Sequence, residues 1–441
     1  MKAASFAKDT ALTLVARVIG LAMALLSSIL IARALGPHGT GIYTLAILFP
    51  LLILTFSNLG LGPATVYYVA QEKYSLREVF GNNTLLSAMI GVAASLAGLA
   101  LIALFPHRIF PDVPRSYLVL ALILVPGNLF SQQYANQILL GARRIKEFNA
   151  VSVADKFLSL LALFVAMVVL GLGVGGAIGA TVLSSVLLCG VLFFWLRRIA
   201  GGVRLRLSLA YIRDALRYGV KAHLGNIIGF LNYRIEVFLL GAFLPASAVG
   251  FYAVAVGLAE KLWFVSESAS IVLFPTVSAE KDEHERKVFT PLVSRSILLI
   301  TAIGAVALFL PSQWIIVFLY SEEYLPTIQL FRILLPGIVF LSVGRILAND
   351  IAGRGRPLLN TYVGGIGVLV QIGLNLAWIP RFGVVGSAWA TTISYGIILG
   401  TRLWVYVKLS GNSLAHVILP QVSDFTLYRQ LAQLAWRRVG G

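Results

Sequence analysis

Runs of about 20 apolar residues, each long enough to cross a bilayer as a helix, recur along the whole chain. They lie near 11–33, 41–62, 82–105, 116–140, 150–170 and 175–196, then near 218–243, 249–274, 292–320, 327–350, 358–379 and 384–407. This pattern predicts an all-α integral membrane protein with about twelve spans. The second half repeats the first. LGPHGTGIYTLA at 35–46 returns as LPASAVGFYAVA at 244–255, LVPG at 124–127 as LLPG at 334–337, and GVGGAIGATVLSS at 173–185 as GVVGSAWATTISY at 383–395. The offset is 209, then 210 twice. Chains rich in Leu, Ala and Gly match themselves easily, but three matches in one order at nearly one offset mark a duplicated unit. An even number of spans per copy keeps both copies in one orientation, so the expected pseudo-twofold axis runs along the membrane normal. The predicted organisation is a six-helix lobe over 1–198, an amphipathic linker over 199–217, a second parallel six-helix lobe over 218–408 and a tail over 409–441.

Composition agrees with a bilayer as solvent. The chain of 441 residues is 59% hydrophobic and 12% charged, whereas a soluble domain is about 25% charged. The formal charge of +17 is distributed among the connections between apolar runs. One alternating set of connections carries Lys73 and Arg77, then Arg143, Arg144 and Lys146, then the basic linker, Lys281 to Lys287, and Arg354 with Arg356. The other set carries only Arg33, Arg108, Arg115 and Arg381. The positive-inside rule puts the first set and both termini in the cytoplasm. This accounts for most of the charge without nucleic acid, which needs a basic face on a water-exposed domain. The linker and the tail segment 424–438 read as helices lying on the inner leaflet. The first apolar run, after Lys2 and Lys8, reads as a retained helix and not a cleaved leader. A single cysteine, Cys189, allows no intrachain disulfide.

Catalytic constellations are absent from the sequence. There is no Walker A pattern, no metal-spaced His/Cys set and no paired-carboxylate loop. The expectation is a transporter with no cofactor and no metal. Its candidate groups are the polar residues inside the apolar runs, since a charge at mid-bilayer costs about 2.5–3.5 kcal/mol on insertion scales. The cations are Arg17, Lys221, Arg234, Lys261 and Arg345. The carboxylates are Glu236, Glu260 and Glu267. The amides are Asn58, Asn128, Gln132, Asn232, Asn349, Gln371 and Asn375. Two readings apply to each residue: glue between helices, or the wall of one hydrated cavity between the lobes. Arg33, Lys156, Arg332 and Arg402 sit near span ends and read as snorkelling cations.

LGPHGTGIYTLAILFPLLILTFSNLGLGPATVYYVA after a first helix, and NYRIEVFLLGAFLPASAVGFYAVAVGLAEKLW with a later FPTVSA, resemble the two half-signatures of the polysaccharide flippases. These are the O-antigen-type members of the multidrug/oligosaccharidyl-lipid/polysaccharide exporter superfamily. The resemblance covers roughly 1–410. It implies two lobes around a central cavity open alternately to each side. It also implies a substrate of undecaprenyl-diphosphate-linked oligosaccharide, moved to the outer leaflet of a bacterial inner membrane, with a polysaccharide polymerase and chain-length machinery as partners. The family pattern has an acidic residue early in the helix before LLG; here the stretch reads Asn232-Tyr233-Arg234-Ile235-Glu236, leaving Glu236 to take that role with Arg234 as its partner. On this reading Arg17 holds the diphosphate, because a guanidinium matches phosphate oxygens with a bidentate fork. Lys221, Arg234, Lys261 and Arg345 are second choices, the amides take the sugars, and Glu236, Glu260 or Glu267 binds H⁺ or Na⁺. The competing functions are a cation-coupled drug exporter of the same superfamily and a membrane enzyme acting on polyprenyl-linked sugars.

Overall fold

The computed structural model describes residues 2–105, 110–280, 282–421 and 424. Every regular element in it is helical. The first copy of the repeat contributes α1 (Lys2–Ser57), α2 (Leu61–Ala70), α3 (Leu76–Leu104), α4 (Arg115–Gly141), α5 (Ile145–Val169) and α6 (Val174–Ile199). The second contributes α7 (Leu209–Phe243), α8 (Ala246–Ser278), α9 (Glu283–Phe309), α10 (Ser312–Tyr320), α11 (Leu325–Gly353), α12 (Pro357–Ser410) and α13 (Leu414–Ile418).

Ten of these helices are long and apolar enough to cross a membrane, among the described residues. Two of them are too long for one crossing: α1 has 56 residues and α12 has 54, where about 20 suffice. Both break at a glycine in the left-handed region, Gly36 at φ 63° and Gly383 at φ 58°. Gly adopts that conformation without the Cβ clash other residues meet. The twelve-span count depends on dividing α1 and α12 at these two breaks.

Three boundaries differ from the sequence expectation. The run at 292–320 is two helices, because Pro311 between α9 and α10 lacks the N–H that would continue the first. The run at 41–62 ends at Ser57; the Asn58 side chain accepts from the Gly60 N–H at 2.9 Å, and Leu59 and Gly60 have positive φ. Asn58 is therefore a turn-former and no cavity group. The linker is the third. Its second half is the start of α7, capped by Ser208, and it docks on the first lobe instead of lying on lipid. Tyr211 is fully buried and donates to Asn83 Oδ1 at 2.9 Å. Asp214 accepts from Lys73 Nζ at 2.6 Å and from the Tyr74 hydroxyl at 2.7 Å. The Asp214 carboxylate holds the exposed Lys73 ammonium above the ordinary lysine range. Of the tail segment 424–438, only Asp424 lies inside the described residues.

The repeated motifs pack on each other. A Cβ at Gly41 would lie 1.7 Å from the Ala246 carbonyl oxygen, and one at Gly250 would lie 2.0 Å from the Pro37 carbonyl oxygen. Gly41 and Gly250 are equivalent under the 209 offset, and so are Pro37 and Ala246. The two copies thus meet in a reciprocal backbone contact. The same symmetry holds within each lobe. Tyr43 bonds Thr181 at 2.9 Å, and the equivalent Tyr252 bonds the equivalent Thr391 at 2.9 Å. Further bonds tie this end of the lobes. Arg33 caps the carbonyls of Leu319 and Phe318, Thr40 bonds the Tyr324 hydroxyl at 2.9 Å, and Asp112 accepts from the Ala246 N–H at 2.8 Å. Arg33 is therefore a cap and not a snorkelling cation. Gly41→Ala should lower the melting temperature of the purified protein, since backbone must move and overpacking costs about 1–3 kcal/mol. Gly173→Ala, where an added Cβ meets nothing within 4 Å, should melt like the wild type.

Candidate functional site

Beyond the motif contact, towards the basic loops, α1 and α8 face each other across a cavity of about 390 Å³. Its wall combines Arg17 and Leu21 of α1, Arg234 of α7, and Glu260, Lys261, Trp263, Phe264 and Glu267 of α8. The structure thus brings five of the sequence candidates to one cleft between the copies. They face it together because α8 tightens to a 3₁₀ turn at Glu260–Leu262, which sets neighbouring residues at new angles.

Pairing sorts the charges in the cleft. Arg234 grips Glu260 with both terminal nitrogens, at 2.7 and 3.1 Å. Arg345 reaches from α11 to Glu267 at 2.7 Å and lies over the Trp263 ring, 5.2 Å from its centroid. Both carboxylates are thereby committed to guanidinium partners. Arg17 and Lys261 form no ion pair with any described residue. The cleft's uncommitted charge is therefore cationic.

Glu236 stands elsewhere. It is fully buried within the second lobe, and its expected partner Arg234 is engaged by Glu260. Gln371 Nε2 donates to Glu236 Oε2 at 2.8 Å. Ser387 donates to Asn375 Oδ1 at 2.6 Å, and Asn375 donates to the Gln371 carbonyl at 2.8 Å. Glu236 Oε1 and Gln371 Oε1 are both buried without a hydrogen-bond partner. Glu236, Gln371 and Asn375 are therefore interior groups and not cavity wall, although α12 does present Gln371 and Asn375, four apart, on one stripe.

A second cavity of about 1180 Å³ lies between α2, α7, α11 and α12. Lys221 and Asn232, expected in the central cleft, line this one, together with Arg217, Tyr67, Asn360 and Arg402. Arg402 was expected to snorkel. Instead it is half-buried on this wall, with Nε unpartnered. A signal for it was available: Thr391, Tyr395, Ile398 and Arg402 follow a helical 4–3–4 spacing, so they share one face. That face is buried, with Thr391, Tyr395 and Ile398 at or below 2% exposure.

The remaining candidates act as glue. Asn128 accepts from Ser185 at 3.1 Å within the first lobe. Asn349 donates to Ser270 at 2.7 Å between α11 and α8. Gln132 lies half-buried on the π-helical stretch Leu129–Ala135 and lines neither cavity. Arg332 donates to Ser312 at 2.8 Å, and Lys156 pairs with Asp155 at 2.9 Å.

Two duplicated helical lobes facing each other across a charged cleft define the architecture of a multi-pass membrane protein. Comparison with known proteins agrees. A profile of the polysaccharide biosynthesis protein family matches residues 30–329, and the chain belongs to this family. It is 25% identical over 289 residues to a probable low-salt glycan biosynthesis flippase, Agl15, of Haloferax volcanii, covering 64% of this chain. It is 22% identical over 410 residues to a protein of Shigella flexneri named as an O-antigen transporter, covering 86% of this chain and 92% of that one. The chain spans 58% of the length of Agl15 and 41% of an uncharacterized membrane protein of Methanocaldococcus jannaschii that it also matches. Its fold is that of the lipid II flippase MurJ in an inward closed conformation, with TM-score 0.75 at 15% identity over 98% of this chain and all of that one. An inward-facing multidrug transporter of the MATE family shares the fold with TM-score 0.73 at 18% identity, over 90% of this chain and 98% of that one.

Proposed function

We propose that this protein is a transporter that flips a lipid-linked glycan between membrane leaflets by alternating access. The observation that carries this is the inter-lobe cleft, whose carboxylates are neutralised by arginines while Arg17 and Lys261 stay free. Two free cations in a low-dielectric cleft suit a doubly anionic diphosphate. The same arrangement disfavours an exporter of cationic drugs, because no carboxylate in the cleft is uncommitted. A glycan headgroup needs a wet path, since each unpaired hydroxyl in hydrocarbon costs several kcal/mol. The chain's finer substrate is an undecaprenyl-diphosphate-linked oligosaccharide, carried from the cytoplasmic to the outer leaflet of a bacterial inner membrane. Both termini are cytoplasmic in this reading, and the polysaccharide polymerase and chain-length machinery take the product.

Glu236 is the coupling group. Of the three candidate carboxylates it alone lacks an arginine. A buried carboxylate without a counter-charge costs several kcal/mol, so the group takes up a proton or a Na⁺. Either supplies the positive partner that Glu236 Oε1 lacks.

The test is leaflet translocation of a defined lipid-diphosphate glycan in proteoliposomes. Arg17→Ala should cut the rate at least about tenfold with normal expression and melting; a wild-type rate removes Arg17 from the site. No glycan movement alongside intact transport of a cationic dye would overturn the flippase reading.

A further inference from the structure

The larger cavity is built differently from the cleft. Arg217, Lys221 and Arg402 line it, and no carboxylate does. None of the three forms an ion pair with a described residue. Three unneutralised cations around one space repel each other, and their arrangement is favoured when an anion sits among them. Two wall amides are held in place by the backbone: Asn232 Nδ2 donates to the Ile228 and Gly364 carbonyls at 3.0 and 2.9 Å, and Asn360 Nδ2 to the Ala348 carbonyl at 2.8 Å. Tyr67 of the first lobe and Tyr218 of the second stack at the rim with ring centroids 4.5 Å apart, a flat apolar surface with polar edges of the kind sugars lie against. Beside the cations, Val220, Leu224 and Leu358 are exposed at 56%, 57% and 62%. In a membrane protein such residues meet lipid chains.

We infer that this cavity is a second binding site, distinct from the Arg17 cleft, for the phosphosugar headgroup of a membrane lipid. Lys221, Arg217 and Arg402 hold the phosphate, the tyrosines take the adjoining sugar, and the lipid chain runs along the exposed apolar residues of α7 and α12. The inference rests on the flippase reading for its substrate class and adds a place where the headgroup is held beside α7 before it reaches the cleft. Because Tyr67 belongs to the first lobe and the cations to the second, a headgroup here also touches both lobes.

The experiment is photo-crosslinking of the full-length protein in nanodiscs with a polyprenyl-phosphate monosaccharide carrying a diazirine on the sugar. Crosslinks should map to peptides around 217–225 and 357–362. Arg217→Gln/Lys221→Gln, two exposed positions on α7 with little bearing on folding, should reduce those crosslinks more than about tenfold, as loss of two charge-assisted contacts predicts. Arg17→Gln should leave them in place. Unlabelled polyprenyl-phosphate sugar should compete, while the same polyprenol without phosphate and free sugar phosphate without a lipid should not. Crosslinks confined to peptides around Arg17 and Lys261, or unchanged in the double variant, overturn the inference. Equal competition by phosphatidylglycerol overturns it in favour of an ordinary phospholipid site. Failure of glycan translocation with crosslinks still at α7 would instead sink the flippase reading and leave a lipid-phosphosugar site standing.

Discussion

Asp424→Ala is expected to destabilise the folded protein by about 3–5 kcal/mol, the usual cost of removing one partner from a buried ion pair. Arg295 and Asp424 are 4% and 3% exposed. Two parallel bonds join them, Nε to Oδ2 and Nη2 to Oδ1, each 2.7 Å. Arg295 also donates to the His416 carbonyl, and Asp424 accepts from the Gln421 N–H at 2.9 Å. The pair thus pins the segment after α13 to the middle of α9. Its loss strands a guanidinium in the interior. Arg295→Met/Asp424→Leu should recover most of the stability, because a well-packed apolar pair removes both charges together. Thermal or SDS unfolding of the three variants reads this directly. A drop below about 1 kcal/mol for Asp424→Ala, the size of an exposed pair, would show that the tail is not clamped. The pH dependence has a definite sign. The Arg295 hydrogen bonds hold the Asp424 carboxyl below the ordinary carboxylate range. Its contribution is therefore complete above about pH 4, where an unfolded Asp is ionised, and is lost as pH falls through the lower folded value.

On the proposed flippase reading, Glu236→Gln is expected to uncouple transport from its driving ion. The amide keeps the shape and the contact to Gln371 but cannot carry the negative charge that attracts H⁺ or Na⁺. Glycan translocation driven by an imposed pH or Na⁺ gradient should fall at least about tenfold, while melting stays unchanged or rises, because an uncompensated buried charge has been removed. Glu267→Gln should retain gradient dependence, since that carboxylate serves Arg345. Gradient dependence equal to wild type in Glu236→Gln would place coupling elsewhere. Replacing Na⁺ by choline at constant pH separates the two ions: rates that follow Na⁺ identify a metal cation, and rates that follow pH alone identify a proton.

Much of the scaffold is legible in the sequence. Apolar length gives the spans, because a helix must satisfy its own backbone in lipid. The 209–210 offset located the contacts that relate the lobes, and the structure gives the reason those motifs persist in both copies. Gly41 and Gly250 are the only residue type that fits against a carbonyl of the other copy, and Tyr43 and Tyr252 make the same bond to Thr181 and Thr391. That Glu260 and Glu267, seven apart, share a face was also within reach, since helical period places side chains on faces.

Partner choice was not. Periodicity states which face of its own helix a residue occupies; it does not say which helix stands opposite, or at what height. Arg234 and Glu236 are two apart in α7, yet one pairs with Glu260 of α8 and the other sits fully buried beside Gln371 of α12. Asn58, Asn128 and Asn349 resemble cavity amides in the sequence and are consumed locally or by a neighbouring helix. Arg402 looks like an end-of-span cation and lines the larger of the two cavities. The linear pattern of apolar and polar residues determined that this chain is a duplicated bundle of membrane helices with charge inside it. Only the packing of helices distant in sequence decided which of those charges pair, which have no ion-pair partner among the described residues, and that Glu236 alone of the three candidate carboxylates lacks an arginine. The reason is physical: transfer into lipid is an additive property of each segment, whereas the energy of a buried charge depends on what lies within a few ångströms of it.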